Sequence, residues 1–441
     1  MTKARFRYAE TRFFGYMSIV NCSPCVIIGN MDLIQSLGFS ELYAQVVSLL
    51  STFFAWFPYW GPIFLGYLFL HQWMHYVQGR YISRINWIML EVKIPKEIHK
   101  TPLAMEIMLN ALYQSSGKIV WWDKYWKGKV KDWFSLEMVS LDGNVHFFIR
   151  TGAFYKNVIE AQLYAQYPDI EIHEVPDYTR YVDYRGKKGE WEMISSEYTL
   201  SKEDAYPIKT YVDYGMDKEG VKEEFKIDPI TSIIEYLGSI GKDEQIWIQI
   251  LVQSASKRYK KADSSIGTWQ DEGKALIERI MKRDQKTDEG FAKLFMTTKG
   301  EQDAVAAIER SINKLGFDCG IRAIYLGKKD KADFGHIKAL GGLLRPFTSN
   351  NLNSFKGGEQ TYGWDFPWED YDKTRLTWKK VDMFEAYKQR SWFHLPRKLK
   401  PFVLTTEELA TIYHFPGGVA QTPTFGRIPS RKSEAPVNLP I

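Results

Sequence analysis

From residue 42 to residue 79 the chain carries no Asp, Glu, Lys or Arg, a run of 38 residues that constrains the fold more than any other feature. A globular core helix rarely extends this far without a charge. A bilayer core needs about 20 apolar residues as helix, so the run is long enough to cross once. It contains Leu49, Leu50, Phe53, Phe54, Ile63, Leu65, Leu68 and Leu70, punctuated by Trp56, Tyr59, Trp60, Trp73 and Tyr76, as aromatic residues punctuate a membrane interface. Pro58 and Pro62 lie inside it, and each removes a helix hydrogen bond. Two geometries stay open: one tilted, kinked span over 42–79, or an in-plane stretch 46–57 followed by a short span 61–77. A buried hairpin of soluble helices is the weaker alternative.

Arg80, Arg84, Lys93 and Lys96 follow the run, which places the C-terminal side of the chain in the cytoplasm by the positive-inside rule. Lys3, Arg5, Arg7 and Arg12 precede it and blur that orientation. Residues 1–41 read as a leader. Met31 opens a cleaner start, because Asp32 and Glu41 are then the only charges before the span. Cys22 and Cys25 form a lone CxxC; with no second Cys/His pair at ligand spacing, no zinc site is read. Cys319 sits in a strand-like run and reads as a small core residue.

The remainder is compositionally ordinary. With 45% hydrophobic and 25% charged residues, a mean hydropathy of −0.33 and a net charge of 58 − 53 = +5, the chain is neither disordered nor a polytopic transporter. So small an imbalance gives no general argument for nucleic acid.

After the anchor, strand and helix signals alternate. Ile88, Leu90, Val92 and Ile94 mark a strand, and Thr101-Pro102 starts a helix. Strands through Leu136 and Phe147 flank the hairpin turn Asp142-Gly143. A second helix ends before Pro168, and Ile170, Ile172 and Val175 close the series. The order β-α-β-β-α-β over 83–178 predicts a ferredoxin-like unit. Residues 179–240, rich in Tyr and acidic side chains, read as a connecting region with strand-like pieces at 191–193 and 208–212, and a helix over 229–238 that Asp228 caps and Pro229 begins. A second, elaborated α/β unit spans 241–347, starting at the strand through Ile246 and including a capping box, Thr298 to Glu301. The predicted class is α+β: a transmembrane helix, two ferredoxin-like units, a basic and aromatic region over 348–414, and an extended Pro/Gly-rich tail over 415–441.

Catalytic signatures are missing. There is no GxxxxGK[ST], GxGxxG, GxSxG or HExxH in the sequence, so the expectation is a non-enzymatic protein with no cofactor and no metal. His71 and His75, four apart, read as interfacial side chains rather than ligands. Phe147 and Phe148 occupy a strand where base-stacking aromatics could lie. A better contact surface is the basic stretch 373–400, where Lys373, Arg375, Lys379, Lys380, Lys388, Arg390, Arg397, Lys398 and Lys400 interleave with Trp378 and Trp392. This mixture suits anionic lipid, a protein partner or single-stranded nucleic acid; a solvated basic face is the alternative.

Three stretches carry a more specific likeness: SLDGNVHFFIRTGAFYKNVIEAQLYAQYPDIEIHEVPDYT, KEDAYPIKTYVDY with IDPITSIIEYLGSIGKDEQIWIQILVQ, and TIYHFPGGVAQTPTFGRIPSRKSEAPVNLP. From about Ser83 onward the chain resembles the N-terminal membrane-anchored region of candidate-phylum (Patescibacteria-type) proteins associated with type IV secretion or conjugation ATPases. In the fused forms the SRK-x-x-x-P-x-N-L-P stretch leads into the ATPase domain, whereas this sequence stops at Ile441. The resemblance therefore implies a single-pass inner-membrane accessory scaffold whose P-loop ATPase is either a separate subunit or was lost. A membrane-tethered single-stranded nucleic-acid binder is the alternative.

Overall fold

A computed structural model of the chain describes residues 39–95, 100–113, 119–217, 227–261, 264–281, 298–361, 366–394 and 397–417. The leader features at Cys22, Cys25 and Met31, and the tail from 418 onward, lie outside these residues. The chain divides into two units, Met1–Trp73 and Met74–Ile441.

The described residues of the first unit are helical. Helix α1 (Phe39–Ala55) is followed by α2 (Phe57–Arg84), which runs on into the second unit. Among the described residues no single helix is long and apolar enough to cross a membrane. Ala44–Phe53 and Phe57–Arg84 satisfy the length and composition test together, bent by 65°. The break falls at Trp56 rather than at Pro62. Pro58 has no N–H to donate and disfavours helical backbone at the residue before it. The new helix starts with Tyr59 and Trp60 donating to the Trp56 carbonyl, and Trp60 closes the elbow against Phe53 and Phe57, with ring centroids 4.6 and 5.1 Å away. Leu49, Ile63, Leu65, Leu70 and Tyr59 are all exposed.

The second unit is mixed α+β around one antiparallel sheet of nine strands. Only Ile85 and Asn86 separate α2 from β1 (Trp87–Lys93). There follow α3 (Pro102–Leu112), α4 (Trp121–Tyr125), β2 (Trp133–Leu141), β3 (Asn144–Gly152), α5 (Lys156–Gln166) and β4 (Glu171–Val175). Thr101 precedes α3 in extended backbone with Pro102 at the first helical position, where a missing N–H does no harm. Asp142 and Gly143 both take positive φ, the backbone that a two-residue hairpin needs. These four strands lie in the order β2-β3-β1-β4.

The chain then supplies β5 (Trp191–Leu200), α6 (Pro229–Gly238), β6 (Glu244–Ser254), the short pair β7 (Tyr259–Lys260) and β8 (Ile266–Gly267), α7 (Trp269–Ile280), α8 (Lys299–Ile312), β9 (Gly316–Lys328), α9 (His336–Gly342) and β10 (Phe355–Gln360). Their order is β6-β9-β5-β10. Chain order and strand order thus repeat: β1-α3-β2-β3-α5-β4 and β5-α6-β6-β9-α9-β10 follow the same path, and the halves join where β2 pairs with β6, from Trp133↔Gln253 to Leu141↔Gln245. β5 and α6, expected in a connecting region, take the places that β1 and α3 hold in the first half. Residues 208–212 do not form the expected strand; they are coil and turn, with Asp213 accepting from the Thr210 N–H and hydroxyl.

Three more elements follow among the described residues: α10 (Thr374–Gln389), β11 (Phe402–Thr405) and α11 (Thr406–Ile412). β11 pairs with the start of β9, beside the stretch that pairs with β5. Thr405 and Glu408 form a capping box on α11, and α11 packs against α3.

Because side chains alternate across a strand, the sheet has two distinct faces. Leu136, Met138, Phe147, Ile149, Ile248 and Ile321 point into an apolar core closed by α3, α5, α6, α9 and α11. Met89, Val139, Phe148, Trp247 and Ile324 point the other way, under Met383, Phe384 and Tyr387 of α10 and the segment holding Tyr178 and Tyr184.

Candidate functional site

The face beneath α10 carries a row of polar residues in one register. Glu197 on β5 lies opposite Arg322 on β9, Arg322 opposite Gln249 on β6, and Gln249 opposite Glu137 on β2. All four are buried. The row continues through Phe148 to Glu91 and His173 on the outer strands. A buried charge must be paired or it costs several kcal/mol, so this row needs partners, and the residues around the end of α10 supply them.

Arg390 is the principal one. It sits in the left-handed conformation at the C-terminus of α10, φ 52°, with its N–H donating to Ala386 and Tyr387 carbonyls. A non-glycine residue pays a strain of about 1 kcal/mol there, and its side chain accounts for the placement. The guanidinium donates from Nε and Nη2 to the two Glu137 oxygens at 2.9 and 3.0 Å. From Nη1 it reaches Asp177 Oδ2 at 2.6 Å. Ser135, Tyr178 and Gln249 complete the Glu137 carboxylate at 2.6, 2.7 and 3.1 Å. Burial opposes the charge on Glu137, but Arg390 and these donors outweigh it and hold the carboxyl below its ordinary range. Asp177 is lowered in the same way, and Arg390 is raised by the two carboxylates against its own desolvation.

The other end of the row is built similarly. Arg397 donates to Glu197, Glu359 and Asp382. Arg322 donates to the Ser391 carbonyl at 2.6 Å, and burial pushes its guanidinium down to about 10. The Trp392 ring lies over it at 4.9 Å. That ring occupies the space above Gly320, where an added Cβ would come within 2.2 Å of the indole. Lys380 pairs with Glu192, and Lys379 with Glu359 at 3.4 Å; Lys388 lies over the Phe384 ring.

The expected contact stretch is therefore corrected in part. Arg390, Trp392 and Lys380 are buried and Arg397 is largely so; they fasten a cover onto the sheet and are not available to a lipid or a nucleic acid. Phe147 and Phe148 are also buried, the first in the helix-side core and the second under Tyr178. Lys373, Arg375, Lys398, Lys400 and Trp378 remain exposed. Lys373, Arg375 and Trp378, with Phe366, Trp368 and Tyr371, form an outward strip around the start of α10, in which Trp378 is 68% and Tyr371 89% exposed, whereas Lys398 and Lys400 follow the far end of that helix. Asp370 shapes the strip by accepting from the Arg375 and Leu376 amides, and Arg375 also donates to the Glu369 carbonyl.

Sequence reasoning missed one group of exposed rings. Trp121, Trp122 and Trp126 on and beside α4 are 68%, 49% and 52% exposed. The local sequence WWDKYW was the available signal. Among the described residues, no cluster of three or more His, Cys, Asp or Glu is placed to hold a metal ion.

No curated protein matches the chain. Residues 84–426 match the profile of a family described as a domain of unknown function, DUF8128, a span that includes the whole sheet and both of its covers, and the chain belongs to that family.

Proposed function

We propose that the chain is a non-catalytic, membrane-anchored scaffold whose cytoplasmic α+β unit docks a separate P-loop ATPase of the type IV secretion or conjugation class. The observation that carries this reading is the pair α1 and α2. It has no charged residue from 42 to 79, exposes Leu49, Ile63, Leu65 and Leu70, and enters β1 after two residues. An exposed charge-free pair of this length fits the hydrocarbon of a bilayer, with the 65° elbow at Trp56 separating an in-plane helix from a short, steeper span. Arg80 and Arg84 then favour a cytoplasmic location for the sheet in an inner-membrane protein. Each half-sheet's order, β2-β3-β1-β4 and β6-β9-β5-β10, supports the ferredoxin-like reading for both. The tethering is tested by vesicle flotation and resistance to carbonate extraction. The partner is tested by co-purification from detergent; recovery of the chain with no type IV-class ATPase rejects the scaffold role.

A second reading, a membrane-tethered single-strand nucleic-acid binder, draws on the exposed strip of Trp368, Tyr371, Lys373, Arg375 and Trp378. Aromatic faces beside cations suit stacked bases and phosphates. Phosphate contacts impose a steep salt dependence, so a gel shift that is absent or insensitive to salt rejects it.

A further inference from the structure

The exposed rings of α4 are not scattered. Trp121, Trp122 and Trp126, with Val120 beside them, lie on a segment that also exposes Lys124, Lys127 and Lys129. With Asp123 as the opposing charge, paired to Lys127 at 2.7 Å, residues 120–129 carry a net +2. This segment is held against the last turns of α2. Gly128, at φ +67°, approaches so closely that an added Cβ would lie 2.4 Å from the Val77 carbonyl carbon, and Tyr81 on α2 lies within electrostatic reach of Asp123 and Asp132. Phe154, 61% exposed, lies tilted against Tyr155, whose hydroxyl donates to Asp132.

Four large rings and three lysines thus collect where α2 meets the sheet, and Val77 follows Trp73 by only four residues in the charge-free run. Indole rings have an apolar body and a polar N–H, which places them at the headgroup level of a bilayer. Lysines reach anionic headgroups from the same depth. A protein-binding hot spot also favours Trp, but lysine is depleted from the core of such interfaces; three of them among the rings fit lipid better.

We propose that α4 and its flanks, with Phe154, form a membrane-resting surface: the α+β unit lies on the bilayer through Trp121, Trp122 and Trp126, with Lys124, Lys127 and Lys129 meeting anionic headgroups. The proposal rests on the membrane-anchored reading of α1 and α2. The surface does not depend on the expected basic stretch at 373–400 and marks a different part of the unit as facing lipid.

The test uses the full chain in vesicles, with Cys22→Ser and Cys25→Ser leaving the buried Cys319 inaccessible to maleimide. An environment-sensitive fluorophore is attached at Trp122→Cys in one protein and at Tyr371→Cys in a control. Vesicles contain phosphatidylcholine, with or without a minor fraction of phosphatidylglycerol, and a lipid bearing a nitroxide just below the headgroup. Seating of the rings at headgroup depth predicts at least about twofold quenching of the probe at 122, greater with phosphatidylglycerol, and little at 371. A chain that floats with vesicles while its probe at 122 is quenched no more than that at 371 overturns this inference and leaves the anchor standing. Shielding of that probe only by a co-purifying protein overturns it equally. A chain that fails to float removes the anchor and this surface together.

Discussion

Both faces of the sheet bury apolar side chains, but only the one under α10 carries a row of buried polar and charged residues across its strands. On the helix side, α3, α5, α6, α9 and α11 bury Leu, Ile, Met and Phe side chains, and such burial is strong but non-directional. On the α10 side, Glu137, Gln249, Arg322 and Glu197 cross four strands in one row, and Arg390 and Arg397 must meet them at hydrogen-bond geometry. A buried ion pair adds little net stability over apolar packing of the same volume, but loss of one partner strands the other charge. The α10 face fixes where its cover sits, and tolerates single substitutions poorly.

The most direct way to break this contrast is Arg390→Ala. It leaves Glu137 and Asp177 without their cation and costs about 3–5 kcal/mol in urea denaturation of the detergent-solubilised chain. Removing the fully buried carboxylate as well, Arg390→Met with Glu137→Leu, restores part of that loss, with Asp177 still unpaired. A double variant as unstable as Arg390→Ala would show that the row contributes more than pairing. On the opposite face, Leu163→Ala serves as the reference and costs about 3 kcal/mol through a cavity, with no compensating second change.

The faces also differ in their response to pH. Burial raises Glu408, in the α11 capping box, to about 7 despite the hydrogen bonds it accepts from Thr405 and the Ile208 amide. The folded state then holds a proton that the unfolded chain releases at its ordinary value, so this contribution is complete below pH about 4.5 and is lost as pH rises through 7. Its size is about 3 kcal/mol, and Glu408→Gln removes the slope. Glu137 and Asp177 are lowered, so theirs is present above the ordinary carboxyl range and lost as pH falls below it. Denaturation midpoints at pH about 3, 5 and 8, with and without each substitution, separate the two slopes, since Glu408 acts between the upper two and Glu137 with Asp177 below 5.

Gly128→Ala costs about 1–3 kcal/mol by overpacking and strained backbone, since Cβ would meet Val77, and separates α4 from α2. The smallest effect belongs to Trp378→Ala. Its ring is mostly exposed, so stability changes by less than about 0.5 kcal/mol; a loss of partner or nucleic-acid binding in the same variant identifies the strip as a contact surface.

Local signals carried well from sequence to structure. The hairpin at Asp142-Gly143, the Asp228 cap with Pro229, and the Thr298–Glu301 capping box all form, because a few adjacent residues determine each. The role of 373–400 was not legible. Its acidic partners, Glu137, Asp177, Glu192, Glu197 and Glu359, lie up to 253 residues away, and a run of cations with distant anions looks in sequence like a solvated face. Residues 208–212 alternate like a strand yet are buried as a turn, with Ile208 and Tyr211 donating to Glu408 and Thr411 of α11. The WWDKYW segment has no periodicity to read, since its helix is five residues long.

The position of the two closing helices has a consequence for synthesis. α10 covers one face and α11 packs on α3 across the other, and both are encoded after residue 373. While the ribosome is still translating the second half, β1 to β4 can pair locally beneath α3 and α5, but the α10 face stays uncovered, the helix face lacks α11 and β9 lacks β11. The nascent chain therefore carries an uncovered sheet face until almost its last described residues emerge, and a message truncated before residue 373 yields a product with that face open, a substrate for chaperones or proteases.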